Sequence, residues 1–477
     1  MCGVFGIRAP DRDVARVAYF GLFALQHRGQ ESAGIAVSDK GRLTVVRDMG
    51  LVAQVFSEQT LHGLQGDVAI GHTRYSTTGS TQWANAQPLV HHGRARTVAL
   101  GHNGNLTNAE ELRAELAEDG VKLASTSDSE LIAALIANDD APLDDAVANT
   151  LGRLKGASTV VALAEGKLLG FRDPHGFRPL ALGRIDGDWV LASESCALDL
   201  VGADYEREVG PGELVSVDDG GLQSQQSVEP AQRALCLFEF IYLARPDSRL
   251  AQEEVHTARV RMGEALAREA PIEADLVMPV PDSGTPAAIG FARASGIPFS
   301  EGLIKNRYVG RTFIEPDQRL REQGIKLKFN PLAEVSGKRV VVVDDSIVRG
   351  TTMRQLVSVL REAGATEVHV RVSSPPVVSP CFYGIDFGDD RQLVAAGQTV
   401  EDTRAQIGAT TLAHLSLEAA QEATTRPASE CCRACFTREY PTRIPADRTL
   451  AKLRFETAAA EATNRAGQAG TVSVGTA

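Results

Sequence analysis

The sequence predicts an α+β half followed by an α/β half, and three observations carry that prediction. First, 477 residues are too many for one ordinary core, so two domains are expected. Second, residues 1–230 read as short strands and a few helices between glycine-rich turns, which suggests sheets packed with helices. Third, the later residues repeat a strand–loop–helix order, and such alternation implies a parallel sheet with ligands beyond the strands' carboxyl ends.

The elements follow in order. In "DVARVAYFGLFALQHRG", Asp11 or Asp13 can cap a helix, and Val14, Val17, Phe20, Leu22 and Leu25 suit a buried one. "DVAIGHTRY", "RTVALGHNG" and "GASTVVALAEGKLLGFRD" read as strands, and "SDSELIAALIAND" as a helix with a Ser or Asp cap. The polar stretch "DDGGLQSQQSVEPAQ" marks a boundary near residue 230, giving domains over 2–230 and 231–460. "ADLVMPVPDSGTPAAIGFARASG" and "GKRVVVVDDSIVRGTTMRQLVSVLREAGA" each read strand, loop, helix. In the second helix Met353, Leu356, Val357 and Leu360 follow the apolar helical spacing and Gly364 terminates it. "TEVHVRVSSPP" supplies the next strand, and residues 461–477 lack large apolar side chains and read as a disordered tail.

Composition excludes some functions. Net charge is −12, from 49 basic and 61 acidic residues, which argues against nucleic acid as a partner. No apolar run approaches the ~18 residues of a membrane span, and Arg8, Asp11 and Asp13 interrupt any signal-peptide core. A cytoplasmic protein is expected, so its seven cysteines should be packing thiols, metal ligands or nucleophiles rather than a disulfide framework. The "HH" at 91–92 reads as surface or loop, not as a metal site.

Cys2 follows the initiator methionine. Loss of Met1 would give it a free α-amino group with a reference pKa of ~7.7–8.0, so one residue would supply both nucleophile and base. Only Met1 is expected to be removed, and Gly3 leaves room beside the thiol. "GHNGNLTN" offers the Asn103 side chain and the Gly104 N–H as an oxyanion-hole pair. Arg74 in "GHTRYSTTG" could pair with a carboxylate, Asp128 in "STSDSE" could receive an amino group, and Arg28 follows a helix in "QHRGQES". An arginine and an aspartate at one site fit a free amino acid. Taken singly, Cys2 could be a packing thiol, and Asn103 and Asp128 turn or cap residues.

"VVVVDDSIVRGTT" (340–352) is the strongest signal. A buried strand delivers Asp344 and Asp345 at its carboxyl end, suited to ribose hydroxyls or a hydrated Mg²⁺. Ser346, Arg349, Gly350, Thr351 and Thr352 lead into a helix N-terminus, whose free N–H groups and dipole favour a phosphate. "PVPDSGTPAAIGFA" repeats the logic, with Ser283, Gly284 and Thr285 able to cradle a pyrophosphate. Residues 305–328 hold seven basic and three acidic side chains, and Lys305, Arg307, Arg311, Lys326 and Lys328 could close over a polyphosphate.

Cys432 and Cys435 form a CxxC, which by itself could be a coincidence or a redox pair; two more thiolates would complete a zinc or iron–sulfur site, and spacing does not choose between them. Cys236 and Cys381 are available, and Cys196 reads as a packing thiol.

These motifs resemble known families. "VVVDDSIVRGTT" and "PDSGTP" resemble the two phosphate loops of type I phosphoribosyltransferases. "MCGVFGI", "LQHRGQES", "GHTRYST", "GHNGNLTN" and "SDSE" resemble, in order, the αββα glutaminase domain of the N-terminal-nucleophile amidotransferases. With "FEFIYLARPDS", "CFYGID" and "CxACFTxxYPT", residues 2–450 resemble the glutamine phosphoribosylpyrophosphate amidotransferases, in the branch with a [4Fe–4S] cluster. The resemblance implies a glutaminase domain over 2–230 and a phosphoribosyltransferase domain over 231–460. It implies Cys2 as nucleophile, Asn103 and Gly104 as oxyanion donors, and Arg74 and Asp128 as the glutamine clamp supported by Arg28. It places Mg²⁺ at Ser283, Asp344 and Asp345, and the ribose and its 5′-phosphate on residues 344–352 under a lid carrying Lys305 and Arg307. It implies the cluster ligands Cys236, Cys381, Cys432 and Cys435, with Cys431 an extra thiol beside the motif. The expected reaction forms 5-phosphoribosylamine, pyrophosphate and glutamate at the first committed step of purine synthesis. A homotetramer inhibited by purine nucleotides is also implied. The alternatives are another amidotransferase, such as glucosamine-6-phosphate synthase or asparagine synthetase, against which the phosphate loop argues, or a non-catalytic regulator that binds phosphoribosyl pyrophosphate.

Overall fold

The computed structural model describes residues 1–76, 79–306, 328–387 and 389–444. The expected lid residues Arg307, Arg311 and Lys326, and the expected tail 461–477, lie outside the described residues. Two compact units form among the described residues: Met1–Arg233 with Phe382–Asp386 and Thr442–Ile444, and Ala234–Cys381 with Phe387–Pro441.

Among its described residues, unit 1 holds thirteen strands in two antiparallel sheets. They are β1 (Gly3–Arg8), β2 (Ser32–Asp39), β3 (Arg42–Met49), β4 (Val68–Arg74), β5 (Leu89–His92), β6 (Thr97–Leu106), β7 (Gly156–Ala164), β8 (Lys167–Arg172), β9 (Ala181–Ile185), β10 (Asp188–Ala192), β11 (Asp204–Glu208), β12 (Glu213–Asp218) and β13 (Gly221–Gln226). One sheet runs β11-β9-β10-β1-β4-β2-β3 and the other β13-β12-β8-β7-β6-β5. Strand alternation explains the layering. On β1, Val4 joins Ile70, Ala99 and Val161 in a core between the sheets. Phe5 and Ile7, on its other face, pack with Leu22 of the helix Val14–Ala24. The helices Ala109–Glu118, Ser129–Asn138 and Leu143–Arg153 cover the second sheet through Leu112, Leu131 and Val147. The result is the expected αββα sandwich.

Three local expectations need correction or refinement. Phe20 is 46% exposed, because the helix capped by Asp13 turns Ala18 and Leu22 inward and carries Phe20 around to solvent. His91 is neither surface nor loop: it is buried on β5, with its imidazole 3.5 Å from Glu130. "GASTVVALAEGKLLGFRD" forms two strands, β7 and β8, because Glu165 and Gly166 adopt positive φ and make a hairpin turn.

Unit 2 contains a parallel sheet in the order Leu276–Pro279, Arg339–Asp344, Glu367–Val372, Thr411–His414. Val340, Val342, Val368 and Val370 face the helix Thr351–Glu362, whose Met353, Leu356, Val357 and Leu360 are buried against them. Truncating one such leucine costs ~2–5 kcal/mol in a packed core. Gly364, at φ 95°, follows that helix's cap residue Ala363. Among the described residues no helix is long and apolar enough to cross a membrane.

Candidate active sites

Pairing of β1 with β4 sets Gly3 opposite Thr73, which brings Cys2 beside the end of β4 at Arg74 and Tyr75. The fit around Gly3 is close: a side chain there would meet the Thr73 hydroxyl at 2.7 Å and Leu25 at 2.9 Å. The Cys2 nitrogen donates to Asn103 Oδ1 over 3.4 Å, and its thiol points at the Tyr75 carbonyl over 3.6 Å. Burial pushes the thiol's pKa up, while the N-terminal amine and Arg74 pull it back down. The chain's first amine is pushed down to about 5, chiefly by burial.

Asn103 is 1% exposed, and its Nδ2 has no hydrogen-bond partner among the described residues. A buried donor without an acceptor is costly unless a ligand completes it, so Nδ2 is poised to receive an oxygen that is formed or bound here. Gly104 is required by packing, since a Cβ there would stand 2.1 Å from the Ala157 carbonyl oxygen and 2.6 Å from the His102 ring. Behind the strand, His102 Nδ1 meets Ser129 Oγ at 3.1 Å, and Gln87 joins both residues, donating to Ser129 Oγ and accepting from the His102 amide. His72, whose pKa burial lowers to about 3, stays neutral and bonds the His102 carbonyl over 3.1 Å.

Arg74 is buried, donates to the Ser80 carbonyl over 3.0 Å and lies 3.6 Å from Glu31. Glu31 in turn accepts from the amide and hydroxyl of Ser76. Asp128 precedes the helix Ser129–Asn138 without capping it; its carboxylate instead accepts from the Leu106 amide over 2.9 Å, at the end of the strand that carries Asn103. Arg28 does not stand alone: its Nε donates to buried Glu194, which His27 also contacts at 2.7 Å and the Cys196 thiol at 3.8 Å. Cys196 is therefore a packed thiol beside a structural ion pair.

In unit 2 the strand Arg339–Asp344 ends at the two adjacent carboxylates. Burial and their mutual repulsion push Asp344's pKa well up, and burial raises that of Asp345. The hydroxyls of Ser283 and Ser346 both donate to Asp345, so the two glycine-containing loops meet there. Gly284 makes the approach possible, because a side chain would stand 2.4 Å from the Val343 carbonyl oxygen. Gly350, at φ 72°, is the N-cap of the helix Thr351–Glu362, while Arg349, Thr351 and Thr352 are exposed around it. Thr285 starts the second helix, and the Lys305 ammonium pairs with Asp282 over 2.6 Å. Arg307 lies outside the described residues.

The cysteines of unit 2 also converge. Cys236 and Cys432 are opposite one another in a short parallel pair, Leu235–Cys236 with Cys431–Cys432. The amides of Val378 and Ser379 donate to the Cys435 carbonyl over 2.9 and 3.1 Å, bringing in the segment that ends at Cys381. Burial, with the Cys236, Cys381 and Cys432 thiols nearby, raises Cys435 well above the usual thiol range. Cys431 instead accepts from Gln421 Nε2 over 3.2 Å. Among the described residues, no three His, Cys, Asp or Glu side chains are arranged to hold a single metal ion.

Comparison with known proteins supplies the rest. Family models for a glutamine amidotransferase domain and a phosphoribosyl transferase domain match residues 72–200 and 252–374. The amidophosphoribosyltransferase of Mycobacterium tuberculosis is 52% identical, over 94% of this chain and 88% of that protein. Those of Synechococcus elongatus and Bacillus subtilis are 53% and 47% identical, over 96% and 94% of this chain and 95% and 96% of theirs. The solved B. subtilis glutamine phosphoribosylpyrophosphate amidotransferase, complexed with ADP and GMP, matches with a TM-score of 0.89 at 46% identity, over 95% of this chain and all of that one. The chain belongs to the amidophosphoribosyltransferase family.

Some residues at these amidophosphoribosyltransferase sites escaped the sequence reading. Glu194 and Gln87 join the cluster around Arg28 and His102 through long-range pairing, and nothing local in the sequence marks them; Glu31 and Ser129 lie inside "LQHRGQES" and "SDSE" but were given no role of their own. Arg259 is buried, donates to the carbonyls of Phe240 and Ala244 over 2.7 and 2.8 Å, and helps hold down the pKa of Asp345. Tyr440, with its pKa raised to about 12, stands near Cys381 and Cys435 and donates to the Pro380 carbonyl over 2.7 Å. "CFTREYPT" placed a tyrosine near the CxxC, which is the one signal that could have found it.

Proposed function

We propose specific roles for these residues in an enzyme that is both a glutamine amidotransferase and a pentosyltransferase. It hydrolyses glutamine and transfers the ammonia to C1 of phosphoribosyl pyrophosphate, releasing glutamate, pyrophosphate and 5-phosphoribosylamine.

Loss of Met1 turns the Cys2 nitrogen into an α-amine. The burial that depresses the Met1 amine would keep that amine neutral near pH 7, free to take the thiol proton. The Cys2 sulfur then attacks the glutamine side-chain carbonyl carbon. The carbonyl π electrons move to oxygen, where Asn103 Nδ2 and the Gly104 N–H receive the charge. As the oxyanion re-forms the carbonyl, the C–N bond breaks and the departing nitrogen takes the proton from the α-ammonium, leaving as neutral ammonia; water then attacks the thioester, releasing glutamate and returning the thiol. Arg74 holds the substrate α-carboxylate and Asp128 its α-amino group, while Arg28, locked by Glu194, supports the pocket.

In the second half-reaction Asp344 and Asp345 hold the ribose hydroxyls, and the loop Ser346–Thr352 holds the 5′-phosphate at the helix N-terminus. Ammonia forms the bond to C1 as the bond to pyrophosphate breaks, and the new amine then loses a proton. Lys305 and Arg307 neutralise the pyrophosphate. Ser283, Asp344 and Asp345 fit a hydrated Mg²⁺, which when bound would offset diphosphate charge. The raised pKa values of the two carboxylates are what an unshielded pair should show.

The four thiols Cys236, Cys381, Cys432 and Cys435 fit a [4Fe–4S] cluster. Ligands of a single zinc stand ~3.8 Å apart, whereas a cluster bound through four separate irons spaces its thiolates more widely. The convergence of Cys236, Cys381 and Cys432 on Cys435 supports one shared site for the four thiols, and the resemblance to the iron–sulfur branch makes a cluster its occupant. When bound, it would cross-link the three chain segments that carry them. We also propose a cytoplasmic location, in keeping with seven free cysteines. The homotetramer, inhibition by purine nucleotides, and domain limits of 2–230 and 231–460 complete the reading.

The unpartnered Asn103 Nδ2 beside the Cys2 nitrogen is the observation that carries this assignment. The test is an electrophilic glutamine analogue. It should label Cys2 once per chain and stop glutamine-dependent synthesis while sparing synthesis from ammonia. Labelling at another cysteine would overturn the assignment.

A further inference from the structure

We propose that the segment Phe382–Asp386 is a positioning strap for the oxyanion hole, with Arg178 and Gly384 as its working parts. This rests on the reading that Gly104 is an oxyanion donor.

Unit 1 is formed by Met1–Arg233 together with residues from much later in the chain, among them these five. They are held firmly. Arg178 is completely buried, and its Nε and Nη2 both donate to the Tyr383 carbonyl, over 3.1 and 2.7 Å. A buried guanidinium is costly to desolvate, and two charge-assisted bonds to one carbonyl oxygen offset that cost only while the carbonyl stays in place. The Phe177 ring stacks on Tyr383 with centroids 4.1 Å apart. Asn105 Nδ2 donates to the Phe382 carbonyl over 3.1 Å. The turn that presents Phe177 and Arg178 is fixed by Asp173, which accepts from the amides of Ser158, His175 and Phe177.

The strap's contact with the site is through Gly384. Its φ is 102°, a conformation that L side chains rarely adopt. A methyl group there would lie 3.0 Å from the Gly104 carbonyl oxygen, 3.1 Å from its carbonyl carbon and 3.3 Å from its Cα. On its other side, Gly104 is hemmed in by Ala157 and the His102 ring. Gly104 is thus gripped between His102 and Gly384, which sets the plane of its peptide groups.

Displacing one oxyanion donor should lower turnover with little effect on substrate affinity, because Arg74 and Asp128 still hold the glutamine. Gly384→Ala should lower glutamine-dependent kcat ~10–100-fold with KM for glutamine changed less than ~3-fold and ammonia-dependent synthesis intact. Arg178→Lys keeps the charge but loses the fork, and should lower kcat ~10-fold with the same KM pattern. Asn103→Ala combined with Gly384→Ala should cost less than the product of the two single effects, because both act on one oxyanion. If Gly384→Ala loses both activities through misfolding, Arg178→Lys is read by the same criteria. Glutamine turnover within ~2-fold of wild type in the folded variant overturns the strap, as does a rise in KM without a fall in kcat. If Asn103→Ala itself leaves glutamine hydrolysis unchanged, it is the oxyanion assignment that fails.

Discussion

The proposed glutamine pocket and the proposed phosphate loop are built in opposite ways. Arg28, Arg74, Asn103 and Asp128 are at most 5% exposed, and Arg28, Arg74 and Asp128 are each held by a partner from elsewhere in unit 1. Around the phosphate loop, Arg349, Thr351 and Thr352 are exposed, and the ligand-binding capacity lies in backbone at a helix start. The chemistry explains the difference. Amide hydrolysis needs preorganised donors away from water, where each is strong and needs no reorientation during the reaction. A phosphate brings its own charge and finds N–H groups that any helix start supplies. The exposed loop can therefore be ordered by its ligand, whereas the buried pocket has to be fully formed by the fold.

That contrast can be broken experimentally. The largest effect should come from Cys2→Ala, which removes the only proposed nucleophile. Glutamine-dependent synthesis should fall by at least ~10⁴-fold while ammonia-dependent synthesis at high pH is retained. Loss of both would contradict two separately built sites. Asp345→Asn should lower synthesis from either nitrogen donor by ~10–100-fold, since the carboxylate serves the acceptor half alone. Unchanged turnover with ammonia would remove Asp345 from the site. Among the cysteines, Cys435→Ser should abolish iron binding in anaerobically prepared protein, read by iron analysis and absorbance. Cys431→Ser should leave iron content unchanged, because Cys431 is engaged by Gln421. Equal iron in both variants would break the ligand assignment.

The smallest effect is in the pH profile. Burial lowers the pKa of the Met1 amine, and a Cys2 α-amine formed in the same buried setting should likewise be neutral, and able to act as base, at lower pH than usual. The acid limb of kcat/KM for glutamine should therefore fall below the ~7.7–8.0 of an ordinary α-amine. An acid limb at or above that range would mean that the amine is not the base, or that its setting is more polar than the fold indicates.

The comparison also explains what the sequence made legible. "VVVVDDSIVRGTT" encodes strand, carboxylates and helix start within thirteen residues, so the phosphate loop was readable from local pattern alone. Cys2, Asn103 and Asp128 could be singled out by residue type, but Cys2 reaches Asn103 across about a hundred residues, and Asp128 joins the end of Asn103's strand only by accepting from the Leu106 amide. Glu194 and Arg178 were invisible for the same reason: each acts through a partner more than 160 residues away. Phe20 was misplaced because helical spacing alone does not say which edge of an apolar stripe reaches solvent. His91 was misplaced because a buried histidine is acceptable once Glu130 is beside it, and Glu130 lies in another element.

The most direct test of two chemistries in one chain is product stoichiometry. Anaerobically purified protein, confirmed by mass to begin at Cys2, would be given glutamine, Mg²⁺ and phosphoribosyl pyrophosphate. The account predicts glutamate and pyrophosphate released in near-equal amounts, both dependent on phosphoribosyl pyrophosphate. Glutamate released without pyrophosphate would contradict it and leave a glutaminase with some other acceptor.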